Sequence, residues 1–172
     1  YCAWEALMST RNRFAVLSQQ MAKENAHGDD VFMSERISAD SLWNAYQGGR
    51  AAIVENNDRI TAIGVLWDTP HKDWFELGSL WVDPPLRGSG LAHQMYSERL
   101  KLLPEGKRCF VISHNPRVER LATAHGFTEA NRDDWLLLAP YEVTCGPCDR
   151  KVDDKRCCTF RRVKNACRLF VL

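Results

Sequence analysis

The stretch that most constrains the fold is Glu76–Ala92, which reads ELGSLWVDPPLRGSGLA. Its first half is apolar and ends at Asp83-Pro84-Pro85, where a strand should stop because proline cannot donate to a β-ladder. The second half contains two glycines and leads into a helical pattern that ends at Pro104. The stretch therefore predicts a strand, a tight turn and a helix, in that order.

The residues Arg87–Ala92, here called the glycine turn, have the properties of an anion-binding site. Glycine lets the backbone approach a ligand closely, and the first amides of the following helix lack partners at the positive end of its dipole. Such a turn can hold a pyrophosphate, to which Arg87 would add a fixed charge. The turn is not a P-loop, because no Gly-Lys-Ser/Thr follows it. It is not a dinucleotide-binding fingerprint, because the third glycine of that motif is missing. From these residues alone, a plain strand–helix turn with a solvated arginine is an equal alternative.

Hydrophobic periodicity on both sides of this stretch predicts alternating helices and strands. The expected helices lie within 5–26, between Ser38 and Gly48, over about 90–103 and from Pro116 to Gly126. The expected strands lie at 51–54, 60–67, 74–82, 109–112, 127–130 and 135–139. This order predicts a mixed α/β fold, with a central sheet of about six or seven strands flanked by helices and one βαβ crossover. Pro140 marks the expected boundary between a domain at 1–140 and a Cys-rich tail at 141–172.

Residues 76–92 resemble the central motif of the GNAT N-acetyltransferases. In that motif an apolar strand and Val-x-Pro precede Arg/Gln-x-x-Gly-x-Gly/Ala at the start of a helix. Residues 111–115, VISHN, and Gly126-Phe127 are similar to the second motif of the family, and the resemblance spans roughly residues 30–140. It implies transfer of an acetyl group from acetyl-CoA to a primary amine. Family members modify small amines, antibiotics, polyamines, protein termini, lysines and aminoacyl-tRNA, and the sequence does not single out one acceptor.

The resemblance also implies which residues bind the cofactor. Backbone amides of the glycine turn would hold the CoA pyrophosphate; its residues are Arg87, Gly88, Ser89, Gly90, Leu91 and Ala92. The main chain near Leu80 and Val82 would pair with the pantetheine arm, and Asn115 would lie near the cofactor. In the family, the strands before and after the phosphate helix splay apart, and the thioester lies between them.

Acyl transfer to an amine requires a base that removes a proton from the nitrogen. Glu76 matches the position of a glutamate that many family members use as this base, and His114 and Asp83 are weaker alternatives. The alternative is that Glu76 has no catalytic role and is an exposed charge at the end of a strand. Many members carry a tyrosine acid four residues before the glycine of the second motif, where this chain has Ala122. Because a thiol has a pKa of about 8.5, a thiolate can leave without that acid.

The cysteines are concentrated near the end of the chain. Of seven, five lie in the last 28 residues: Cys145, Cys148, Cys157, Cys158 and Cys167. Cys-x-x-Cys presents two thiolates to one metal, so we expect a structural zinc site formed by Cys145, Cys148, one of Cys157 and Cys158, and Cys167. A redox role for the CGPC sequence and a set of scattered thiols are the alternatives.

Charge and hydropathy narrow the range of partners. The chain has a net charge of +1, which gives no general attraction to nucleic acid or membrane, whereas residues 141–172 carry eight basic and four acidic residues. No apolar window of about 18 residues is present, and the first residues lack a signal-peptide pattern, so we expect a cytosolic protein. The basic tail is compatible with nucleic-acid contact. The alternative function is a weak or inactive CoA-binding scaffold whose zinc tail binds protein or nucleic acid.

Overall fold

The computed structural model describes residues 2–27, 32–131, 133, 137–138 and 167–172. The helices are α1 (Cys2–His27), α2 (Ala39–Gln47), α3 (Leu91–Lys101) and α4 (Pro116–Ala124). The strands are β1 (Ala51–Asn56), β2 (Arg59–Asp68), β3 (Trp74–Val82), β4 (Arg108–Ser113), β5 (Thr128–Glu129) and β6 (Arg168–Val171). A single turn of 3-10 helix, Pro84–Leu86, separates β3 from the glycine turn.

The six strands form one mixed sheet in the order β1-β2-β3-β4-β6-β5. β1 and β2 are antiparallel, and the turn between them contains Asn57 and Asp58 with φ values of 49° and 59°. Two consecutive positive φ angles are what a two-residue type I′ hairpin turn requires. β3 and β4 are parallel and are connected through α3, while β6 is antiparallel to both of its neighbours. The predicted α/β class and its βαβ crossover are confirmed.

Two helices begin directly after a residue whose side chain caps them. The Ser38 hydroxyl accepts a hydrogen bond from the Ser41 amide at 3.2 Å. The Asn115 Oδ1 accepts one from the Arg117 amide at 2.9 Å, with Pro116 at the first helical position. Both side chains satisfy amides that the first helical turn leaves without partners, so local sequence sets where α2 and α4 begin.

The chain divides into two compact units. The first comprises Tyr1–Leu66 and Ser79–Leu102, and its core includes an aromatic cluster in which the Phe14 ring lies 5.5 Å from Trp43 and 5.3 Å from Tyr46. In the same unit, apolar side chains from β1, β2, β3 and α3 pack together beside the glycine turn: Ala52, Val54, Ala62, Leu80, Val82, Met95, Leu86, Leu91 and Ala92. This packing supports the backbone on which the turn is built.

The second unit comprises Trp67–Gly78 and Leu103–Leu172. Its core is a cluster of Phe110, Leu138 and Leu169, against which Trp74 and Cys167 pack. Leu169 and Phe170 of β6 are 0% and 4% exposed, so β6 is a central part of this core.

The C-terminal part of the chain differs from the sequence-based prediction in two places. Residues 135–139 were expected to form a strand, but Leu137 and Leu138 are helical. Residues 168–171 were assigned to the tail, but they form β6 between β4 and β5. A short apolar run suits a buried helix as well as a strand, and only pairing with distant strands distinguishes the two.

Arg168 connects β6 to β5 and α4 through ion pairs. These pairs predict that the stability of the fold decreases in acid. Its guanidinium donates to Glu129 on β5 at 2.8 and 2.5 Å and to Glu119 on α4 at 2.8 Å. The hydrogen bond from Arg168 lowers the pKa of Glu129 below its usual value of 4.5. Because this pKa is lower in the folded state, the stabilisation is present above about pH 4.5 and is lost as the pH falls through the lowered pKa.

We therefore expect Glu129→Gln to reduce the loss of stability that the wild-type protein shows between pH 5 and about pH 3. Urea midpoints measured at both pH values would test this. Glu98→Gln is the matched control, because its ion pair with Lys101 lies within a single helix. An unchanged pH dependence in Glu129→Gln would show that this pair contributes nothing to acid unfolding.

Candidate active site

The glycine turn depends on two residues in the left-handed region. Gly88 has a φ of 86° and Gly90 a φ of 89°, values that side chains strongly disfavour. A β-carbon at either position would meet no heavy atom of the described residues within 4 Å. The backbone of the turn is therefore uncovered on the side where these glycines lack side chains, and the two glycines are needed for conformation and not for close packing.

The amides of the glycine turn fall into two groups, those hydrogen-bonded to the backbone and those without an acceptor among the described residues. The Arg87 amide is bound to the Pro84 carbonyl at 3.2 Å, and the Ser89 amide is bound weakly to Leu86 at 3.4 Å. The first hydrogen bond of α3 is donated by Gln94 to the Gly90 carbonyl at 3.1 Å. None of the described residues accepts a hydrogen bond from the amides of Gly88, Gly90, Leu91 and Ala92. Four donors at a helix N-terminus form an arrangement that binds anions.

The Arg87 side chain is hydrogen-bonded within the first unit, although the sequence predicts a charge available to phosphate. Its Nε donates to the Val82 carbonyl at 3.0 Å, and its Nη2 lies 2.5 Å from Oε2 of Glu24. Glu24 also accepts from the indole Nε1 of Trp81 at 2.7 Å through its other oxygen. One carboxylate of α1 thus contacts both the end of β3 and the first residue of the glycine turn.

The end of β3 carries the residues expected to contact pantetheine. Ser79 has a φ of 47°, which is uncommon for a residue with a β-carbon. Beyond it, Trp81 and Val82 are both buried although they are consecutive. The Val82 carbonyl is occupied by Arg87, and the next amide, Asp83, donates to Thr61 on β2 at 2.8 Å. Leu80 and Val82 therefore lie in the same unit as the glycine turn.

Glu76 lies on the part of β3 that belongs to the second unit. The parallel ladder between β3 and β4 covers Trp74 to Glu76, and its last pair is Glu76 with Phe110. Phe75 and Leu77 on either side of Glu76 are buried, whereas Glu76 is half-buried. Because side chains alternate along a strand, Glu76 points to the opposite face from these two apolar neighbours. Its predicted catalytic role stays a prediction.

Asn115 and Ala122 both belong to the second unit. Asn115 follows β4 at the start of α4, where its Oδ1 caps the helix. Ala122 on α4 is 0% exposed, and its carbonyl accepts from the Phe127 amide at 3.1 Å. The position that holds a tyrosine acid in many relatives is therefore a buried methyl group here.

Tyr96 does not compensate for this missing tyrosine. It lies on α3 with 0% exposure, and the Arg99 guanidinium stacks over its ring at 4.6 Å from the centroid. Gly64 on β2 makes room for this arginine, since a β-carbon there would lie 2.6 Å from the Arg99 Cδ. Tyr96 is thus a core residue.

Four of the five predicted zinc ligands, Cys145, Cys148, Cys157 and Cys158, lie outside the described residues. Cys167 precedes β6 and packs, partly buried, against the cluster of Phe110, Leu138 and Leu169. No group of three or more potential metal ligands occurs in the part of the chain that the structure describes. Within the same described residues, no helix combines the length and apolar character that a bilayer crossing requires.

Glu24 is the residue of this region that sequence reasoning missed. The stripe of Leu17 and Met21 identifies the inward face of α1, and Glu24 continues it three residues further on. A carboxylate on an otherwise buried helical stripe is the signal that could have found it, because such a group needs a partner.

Residues 18–127, more than half of the chain, match the model of the Acetyltransferase (GNAT) family. The chain therefore belongs to this family, and the resemblance noted in its sequence is confirmed. The family consists in general of acetyl-CoA-dependent acyltransferases. None of the curated proteins compared with the chain matches it significantly.

Solved structures show the same fold at low sequence identity. YncA, a putative acetyltransferase from Salmonella typhimurium with its cofactor acetyl-CoA, is 19% identical with a TM-score of 0.58, over 70% of this chain and 77% of its own. Rv2747 from Mycobacterium tuberculosis, in complex with CoA and NLQ, is 19% identical with a TM-score of 0.59, over 95% of both chains. The ribosomal-protein-alanine N-acetyltransferase from Brucella melitensis is 17% identical with a TM-score of 0.53, over 69% and 82%. These likenesses establish the fold alone.

Proposed function

We propose that this protein transfers an acetyl group from acetyl-CoA to a primary amine. The observation that carries the proposal is the glycine turn. Its two left-handed glycines leave the amides of Gly88, Gly90, Leu91 and Ala92 available at the start of α3. Acetyl-CoA offers a pyrophosphate of matching charge. Membership of the family and the binding of CoA or acetyl-CoA by structural neighbours support the same conclusion.

The turn residues Arg87 to Ala92 would hold the pyrophosphate through the amides of Gly88, Gly90, Leu91 and Ala92. The main chain at Leu80 and Val82 would receive the pantetheine arm. Asn115, whose Oδ1 caps α4, would lie near the cofactor.

For the chemistry, we assign Glu76 as the base. The acceptor nitrogen must lose a proton to attack, and a half-buried carboxylate can take it directly or through a water molecule. A bond forms between this nitrogen and the acetyl carbonyl carbon, while the carbon–sulfur bond breaks and its electrons remain on sulfur. The buried Ala122 provides no acid for that sulfur, so CoA would leave as the thiolate, which is tolerable for a group of pKa about 8.5.

Several classes of amine are candidate acceptors of the acetyl group. One structural neighbour is named for a protein substrate, the ribosomal-protein-alanine N-acetyltransferase, and both small amines and protein termini are candidates here. A thiol-release assay with acetyl-CoA, run against amino acids, polyamines, aminoglycosides, peptide N-termini and aminoacyl-tRNA, would identify the class. Tight CoA binding without turnover on any amine would contradict the proposed activity.

A second candidate is a CoA-binding scaffold that lacks significant catalysis. It is favoured by Ala122, which replaces a side chain that many relatives use as an acid, and by the net positive charge of residues 141–172. Such a scaffold would bind protein or nucleic acid through this tail, and the same thiol-release assay distinguishes it from an enzyme.

We also propose that the tail binds one structural zinc ion in a reducing, cytosolic compartment. Elemental analysis of protein purified without added metal should then show about one zinc per chain. Cys145→Ser should remove the metal and cause aggregation, because short segments take much of their folding energy from such a site.

Cys167→Ser tests which cysteines are ligands. The Cys167 side chain packs in an apolar cluster, and zinc retained in this variant would assign both Cys157 and Cys158 as ligands. A metal-free, well-folded protein would refute the zinc proposal.

A further inference from the structure

Each carboxylate oxygen of Glu24 accepts a hydrogen bond from a different side chain. Oε1 accepts from the Trp81 indole at 2.7 Å, and Oε2 pairs with Arg87 at 2.5 Å. The Glu24 side chain is 21% exposed and that of Arg87 is 39% exposed, so the pair is partly shielded from water and screened less than a surface pair. Trp81, at 2% exposure, holds the carboxylate from the core side.

Arg87 in turn connects three pieces of backbone. Its own main chain begins the glycine turn, its Nε binds the Val82 carbonyl at the end of β3, and its Nη2 binds α1 through Glu24. A planar guanidinium that donates in two directions restricts the position of its own backbone more than a single bond would. Without Glu24, the guanidinium would keep only the bond to Val82 and could rotate toward solvent.

We propose that Glu24 is a positioning residue for the CoA phosphates and that it acts through Arg87. The carboxylate neutralises the guanidinium and holds it on β3, so that the amides of Gly88 and Gly90 are already arranged before the ligand arrives. Preorganisation of this kind raises affinity because less conformational freedom is lost on binding. The inference rests on the proposed function, since it names what arranges the turn that would bind CoA.

Four variants test the proposal by calorimetric titration with CoA. Glu24→Ala should weaken CoA binding roughly tenfold, the size expected for loss of one charge-assisted hydrogen bond. Glu24→Gln keeps an acceptor oxygen and should recover part of this loss. Arg87→Ala should weaken binding as well, and the double variant Glu24→Ala/Arg87→Ala should bind within about twofold of Arg87→Ala alone, because coupled residues are not additive. Additive losses, or tighter binding by Glu24→Ala, would overturn the proposal.

Trp81→Phe is the matched control, because it removes the other bond to Glu24 and leaves the Arg87 pair in place. It should lower thermal stability while changing CoA affinity by less than about twofold, as expected when the affected bond is away from the ligand. If it weakens CoA binding as much as Glu24→Ala, the effect comes from general packing of α1 and the positioning role is wrong.

Hydrogen exchange on the ligand-free protein separates this inference from the proposed function. Glu24→Ala should accelerate exchange of the Arg87 and Ser89 amides, both of which are hydrogen-bonded in the turn, and Trp81→Phe should accelerate it less. This measurement needs no CoA, so it holds even if the wild-type protein binds none and the proposed function fails. Equal exchange in Glu24→Ala and the wild type would overturn the positioning role by itself.

Discussion

Gly90→Asp should abolish CoA binding while leaving the protein folded. The substitution places a carboxylate at the N-terminus of α3, where the proposed site accepts a pyrophosphate, and like charges in contact cost several kcal/mol. We therefore expect a loss of affinity of at least about a hundredfold. In the part of the chain that the structure describes, no heavy atom lies within 4 Å of a β-carbon at Gly90, so we do not expect the loss to arise from overpacking. Calorimetric titration with CoA, with circular dichroism to verify folding, measures the effect.

The control for this variant is Gly49→Asp. Gly49 has a φ of 68° and open space around its missing β-carbon, and it lies in the exposed turn after α2. Gly49→Asp therefore puts an aspartate into the same left-handed conformation and adds the same charge as Gly90→Asp, but outside the glycine turn. Equal, undiminished CoA affinity in both variants would show that the glycine turn is not the phosphate site.

Glu76→Gln should lower the catalytic rate by about 10²–10⁴ and leave CoA affinity nearly unchanged. An amide of the same shape preserves the half-buried contacts of β3 but cannot accept the proton of the acceptor amine. The rate is measured by thiol release at saturating acetyl-CoA with an amine that the acceptor screen identifies.

Asp83→Asn is the companion to this variant, because Asp83 is one of the two alternative bases, the other being His114. Its carboxylate lies 3.3 Å from Arg59 and is 15% exposed, which favours a structural role and predicts a small effect on rate. A larger loss in Asp83→Asn than in Glu76→Gln would reassign the base. Full activity of both across the pH range would leave His114, the substrate itself or a water molecule to remove the proton.

Elements defined by local chemistry were predicted from sequence with small errors in their bounds. β3 begins and ends at the predicted residues, and its end is set by Asp83-Pro84-Pro85, which follows directly. β6 was missed for the opposite reason. The run RLFV has no turn signals that mark it as a strand, and it becomes one only because β4 and β5 pair with it on either side.

The same distinction applies to the candidate site. The glycine turn could be predicted because positive φ angles and free helix amides follow from the local sequence. The engagement of Arg87 could not, because its partner Glu24 is 63 residues away and no local pattern links the two. The local sequence therefore predicted the conformation of the glycine turn and did not predict the contact between Arg87 and Glu24.

The position of β6 has a consequence for how the sheet is completed during folding. The chain leaves β5 at Glu129 and re-enters the sheet at Arg168, so the β5–β6 pairing closes a long loop. The entropy cost of that closure grows only logarithmically with loop length, by roughly 0.6 kcal/mol for each doubling. The pairing should affect mainly the folding rate, because β6 has to find two strands that are distant in sequence.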